Sequence, residues 1–200
     1  MPRREQALSN VPPSIAIAAG LHGAFLLGRA RPWGLLLFES TPSGAARSFI
    51  AMLFCLPAFL GLRLVGWSDR AVPADPARAL VADLIGFVIG WVGFALVSLP
   101  LAELFGRAQH WPRFLATWNW ITVLQYAVMA ALVLPVSLLG LPPAIGQILG
   151  LVVLGYALWL EWYATRLALA LPGFGALIFV MLDVTLALLV ASFVQRLGGG

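Results

Sequence analysis

Three ionisable side chains, Glu161, Arg166 and Asp183, lie within two apolar runs separated by little more than Pro172-Gly173. A charge in hydrocarbon is expensive, so each of them needs a partner or a purpose. Asp183 falls close to the centre of its run, where a carboxylate has to be neutralised by a proton, a cation or an arginine. Two readings follow. One is a proton or cation site; the other is a hydrogen-bonded Asp that ties two helices together, with Thr185 or an amide near residue 119 as its partner. Glu161 and Arg166 are five apart, about 140° around a helix and about 7.5 Å along it, which points them away from each other. Arg166 then reads as a snorkelling anchor, and Glu161 needs water or a partner on another helix.

Asn119, Thr122 and Tyr126 share one face at helical spacing while Gln125 points elsewhere, a pattern suited to a ligand contact or to interhelical hydrogen bonds. Asn119 therefore joins Glu161, Arg166 and Asp183 as the candidate intramembrane polar site. Asp83 follows Arg78 near a helix start, where the helix dipole favours a negative charge, and reads as a cap. His22 and His110 are far apart and in no ligand spacing, so neither a metal site nor a cofactor is expected. Two membrane aspartates, Asp83 and Asp183, are what an intramembrane aspartyl protease needs, but no glycine-flanked Asp motif surrounds Asp183. Nucleophile elbows, phosphate-binding loops, dinucleotide fingerprints and haem attachment motifs are absent too. No catalytic residue is assigned, and the chain is expected not to be an enzyme.

The elements that must position these groups are membrane spans. The 200-residue chain is 62% hydrophobic and 10% charged, with a mean hydropathy of +0.96, whereas soluble domains carry about 25% charge. Twelve arginines and no lysine give a net charge of +4. The arginines are scattered at the ends of apolar runs, where they report topology rather than nucleic-acid binding. Cys55 is the single cysteine, so no intramolecular disulfide exists; within its apolar run it reads as a small core residue.

In chain order, Ser14 opens an apolar stretch to Leu27. It lacks a cleavage signal, holds His22 and two glycines, and is short for a span, which suits an interfacial or re-entrant helix. A short piece with Trp33 and Glu39 follows, and Thr41-Pro42 supplies helix-start chemistry. Five spans are expected: about Ala46 to Val65, bent at Pro57; Leu80 to Leu101; Phe114 to Leu134, ended by Pro135; Ala144 to Leu171; and Phe174 to Val194. The fourth has no breaker for about 28 residues, or roughly 42 Å. Either its Trp159, Trp162 and Tyr163 form an interfacial belt, or it runs steeply tilted to Pro172. Gly86, Gly90 and Gly93 form a small-residue stripe for close packing within the monomer or at a dimer face.

The fold class is therefore all-α, a polytopic helix bundle, with residues 1–45 as a cytoplasmic and interfacial segment and 46–196 as the five-span domain. An N-terminus on the inner side places Arg3, Arg4, Arg29, Arg31, Arg47, Arg107, Arg113 and Arg166 inside and Arg63, Arg70, Arg78 and Arg196 outside, the arrangement favoured by the positive-inside rule. Should residues 14–27 span, only the N-terminus changes side.

The stretch Phe38-Glu39-Ser40-Thr41-Pro42 through Arg47-Ser48-Phe49, Trp118-Asn119-Trp120, and the Arg166 to Asp183 pattern resemble a group of uncharacterised bacterial inner-membrane proteins. More distantly, five spans behind an N-terminal cytoplasmic segment are similar to the Yip1-domain family. The resemblance implies a bacterial inner (plasma) membrane location. It carries over no functional residue, and the acidic-Leu-Tyr-Gly-Pro element of the eukaryotic members is missing. The expected partners are the lipid bilayer and other membrane proteins or a second copy of the chain. The leading reading is a structural, accessory or membrane-organising role; the alternative is a small transporter or channel subunit using the intramembrane carboxylates.

Overall fold

The computed structural model describes residues 12–69 and 72–198. Arg3, Arg4 and Arg70, which enter the topology count, lie outside the described residues. The described residues form seven α-helices: α1 (Pro13–Gly28), α2 (Pro42–Ser48), α3 (Ala51–Asp69), α4 (Pro76–Leu104), α5 (Trp111–Leu138), α6 (Pro143–Ala168) and α7 (Gly173–Gly198). Two short 3-10 helices, Pro32–Leu37 and Ala108–His110, connect them, and no strand occurs among the described residues. Among the described residues five stretches are long and apolar enough to cross a bilayer: Pro42–Trp67, Pro76–Leu104, Ala108–Leu138, Ala144–Ala168 and Gly173–Leu197. Leu96, Leu151 and Leu188 project outward from these spans, as a hydrocarbon solvent permits. The chain is an all-α, multi-pass membrane bundle with a shorter apolar helix, α1, before it.

The span boundaries differ from the sequence expectation in three places. Instead of starting at Ala46, the first span begins at Pro42, where Thr41 accepts the Gly44 N–H as N-cap. It is broken at Phe49 and Ile50, whose N–H groups bond three residues back, and it resumes at Ala51. α5 continues through Pro135 to Leu138, because the proline removes one hydrogen bond without stopping the helix. It ends where Gly140 takes a left-handed φ of +63° and Leu141 N–H returns to the Val136 carbonyl.

α6 ends at Ala168 rather than running on to Pro172. Ala170 occupies the left-handed region at φ +50°, and Leu171 N–H closes back on the Arg166 carbonyl. Trp162 then donates to the Gly173 carbonyl at 2.8 Å, tying the end of α6 to the start of α7.

The helices assemble in two groups. α4 packs along α7, α5 along α3 and α6, and α6 joins α7, whereas α4 touches α5 only lightly. On the glycine stripe, a side chain at Gly86 would collide with Val194, and Gly93 faces Leu186. The stripe thus admits α7 of the same chain. What stands between α4 and α5 is a column of aromatic rings: Phe59 on Phe87 at 4.6 Å, Trp91 on Trp118 at 5.3 Å, and Phe94 stacked on Trp118 at 4.4 Å. These rings stand where α4 and α5 face each other. On the opposite flank, α1 crosses α5 with Gly20 against Trp120, and the following 3-10 helix folds back so that Gly34 meets Gly23. Tyr156 and Tyr163 of α6 donate to the carbonyls of Gly28 and Ala30 and so pin the end of α1.

Candidate functional site

Glu161 on α6 and Asp183 on α7 bring their carboxyl groups together across the helix seam. Asp183 lies about 15 Å along α7 from Gly173, well inside the span. Glu161 is 5% exposed, and its Oε1 has no hydrogen-bond partner among the described residues. Ionised carboxylates are acceptors only, so two of them in hydrogen-bonding contact hold at least one proton between them. The arginines pair elsewhere: the ion pairs among the described residues are Arg47–Glu39 and Arg63–Asp83.

Asp183 also lines an open cavity of about 310 Å³ bordered by α3, α4, α5 and α7. Its aromatic wall consists of Phe59, Phe87, Trp91, Trp118 and Tyr126, and Thr122 and Gln125 contribute polar atoms. Arg63 and Asp83, 2.8 Å apart, stand on the wall towards the α3–α4 connection. Beside Gly90 there is nothing within 4 Å of the position a Cβ would take, so this middle glycine of the stripe leaves part of the space open.

Of the four residues expected to form a polar site, the structure brings Glu161 and Asp183 together and leaves the other two apart. Arg166 is exposed and lies over the Trp162 ring at 5.6 Å. Asn119 is fully buried and donates to Ser48 Oγ at 2.6 Å, on the side of α5 facing α2. Thr185 donates to the Met181 carbonyl of its own helix, leaving Glu161 as the partner of Asp183. Asp83 is not the cap of α4; Asp75 is, accepting the Arg78 N–H, and Asp83 faces inward to Arg63. Gln125, set apart from the polar face at the sequence level, donates to the Ala157 carbonyl and lines the cavity with Thr122 and Tyr126. Sequence reasoning missed Arg63 as a site residue, because an arginine near a span end is indistinguishable from an anchor until its partner helix is placed.

Fold and site together define a multi-pass helical membrane protein with a carboxyl pair and an aromatic cavity inside its bundle. The chain matches no family model, no curated protein and no solved structure.

Proposed function

We propose that the protein is a small carrier of a bacterial inner membrane that exchanges a monovalent cation for a proton. The observation that carries this reading is the Glu161–Asp183 pair, two carboxyl groups brought together between α6 and α7, with one member on a cavity wall. Doubly protonated, the pair is neutral; with one proton shared, it is a monoanion. A monovalent cation bound to the monoanion restores neutrality, so binding the cation and releasing one proton are balanced one for one. The groups facing Asp183 within the cavity are Tyr126 of α5, Arg63 of α3 and Asp83 of α4, and the last two neutralise each other. Intramembrane ionisable residues that face a bundle interior are characteristic of ion and proton pathways. A membrane-organising subunit, the reading favoured by the scarcity of polar groups in the sequence, requires no such cavity.

Flux separates the two readings. Acid-loaded proteoliposomes containing a pH-sensitive dye are challenged from outside with sodium, potassium or benzyltrimethylammonium chloride. The exchanger alkalinises the lumen with at least one of the three, and Asp183→Asn lowers that rate at least tenfold. Wild-type vesicles that move no protons with any of them, or an Asp183→Asn protein as fast as wild type, rule the exchange out.

A further inference from the structure

We propose that the cavity between α3, α4, α5 and α7 binds a partly apolar organic cation, an alkyl- or arylammonium. This rests on the exchange reading above and names its substrate class. The first argument is the wall: Phe59, Phe87, Trp91, Trp118 and Tyr126 line one side of the space, and aromatic rings attract a cation that is cheap to desolvate. One ring already shows this preference, since the Arg63 guanidinium lies 5.8 Å over Phe59.

The second argument is charge. Arg63 and Asp83 cancel at 2.8 Å, whereas the Asp183 carboxyl has only another carboxyl as partner. A neutral guest would leave that pair facing apolar surface, and an anion would be repelled. The third argument is the supply of oxygen ligands. A hard inorganic cation needs about six of them to replace its water. Apart from Asp83, which is committed to Arg63, the cavity offers Asp183, Thr122, Gln125 and Tyr126, and Asp183 already has the Glu161 carboxyl against it. The volume of about 310 Å³ is at the lower end of the range of small-molecule sites, roughly 300 to 1,000 Å³.

Gly90 provides a test that leaves every charged group in place. A leucine there grows into open cavity space, so Gly90→Leu fills the site; Ala187→Leu, from the α7 wall, serves if the first variant does not fold. The full chain in detergent is titrated with benzyltrimethylammonium while the fluorescence of its tryptophans, Trp91 and Trp118 among them, is followed. Benzyl alcohol supplies the ring without the charge, and sodium the charge without the ring. The expected result is saturable binding at least tenfold tighter than that of benzyl alcohol, undisturbed by equal sodium. Gly90→Leu and Asp183→Asn each weaken it at least tenfold with an unchanged melting temperature. Equal binding of benzyl alcohol, displacement by equal sodium, or full binding by the cavity-filled variant overturns the assignment. Sodium-driven proton exchange without benzyltrimethylammonium binding sinks the substrate class alone. Binding that moves no proton in the liposomes sinks the exchange reading alone.

Discussion

At the scale of single residues, polar side chains inside this bundle are used in pairs, and each pair has a different tolerance for loss. Asn119 donates to Ser48 Oγ, which donates in turn to the Ala45 carbonyl; Asn119 Oδ1 has no partner among the described residues. The contact joins α5 to α2 just before the break at Phe49, so the hydroxyl closes a helix end and receives an amide at once. Removing it with Ser48→Ala strands a buried donor and is expected to cost about 1 to 2 kcal/mol. Converting Asn119 to Leu in that background removes the stranded group and should recover most of the loss. Thermal unfolding of the two variants in the same detergent measures both effects; a Ser48→Ala protein as stable as wild type would show that the amide finds another partner. Arg63 and Asp83 behave differently, since Arg63 is half exposed and can turn to water or headgroups when Asp83 is removed.

At the scale of elements, helix ends decided where the sequence could be read and where it could not. Thr41-Pro42 marked the start of a helix correctly, because N-cap and N1 preferences are local. The end of α6 was invisible, because the residue that turns the chain is Ala170, an alanine doing what Gly106 and Gly140 do at the ends of α4 and α5. A left-handed alanine costs about 1 kcal/mol relative to glycine. Ala170→Gly is therefore expected to stabilise the protein by about that amount, read as a rise in melting temperature. An unchanged or lower melting temperature would mean that the Ala170 methyl makes a contact worth more than the strain.

Asp183 and Glu161 were legible as residues in need of partners, and the five spans as spans, because cost in hydrocarbon is a property of composition. Their meeting was not legible. It depends on the crossing of α6 and α7, which is set by packing between helices that are apolar on all sides and so show no facing stripe in the sequence. The aromatic wall was hidden for the same reason: Phe87, Trp91, Trp118 and Tyr126 look like ordinary span residues until α4 and α5 are set side by side.

At the scale of the whole molecule, the direction of each span determines which side the cavity faces. α7 lines it from Asp183 to Val194, towards its C-terminal end, and α4 lines it from Trp91 back to Asp83, towards its N-terminal end. Both trends lead to the side that holds the α3–α4 and α5–α6 connections. In the orientation we propose from the arginine count, with the N-terminus inside, that side is the exterior, and the proposed cation site is reached from outside while the Asp183–Glu161 pair stands between it and the interior. A cysteine scan tests this directly, because Cys55 is the single native cysteine and is buried. In a Cys55→Ala background, Ala74→Cys and Leu139→Cys, at exposed positions beside α4 and α5, are expected to react with a membrane-impermeant maleimide on intact cells. Gln109→Cys, exposed in the connection between α4 and α5, is expected to react only after the cells are opened. The opposite labelling pattern would invert the bundle and make the cavity an inward-facing site. A mixed pattern within the pair Ala74→Cys and Leu139→Cys would contradict the five-span path itself, since two crossings separate those positions and must return the chain to the same side.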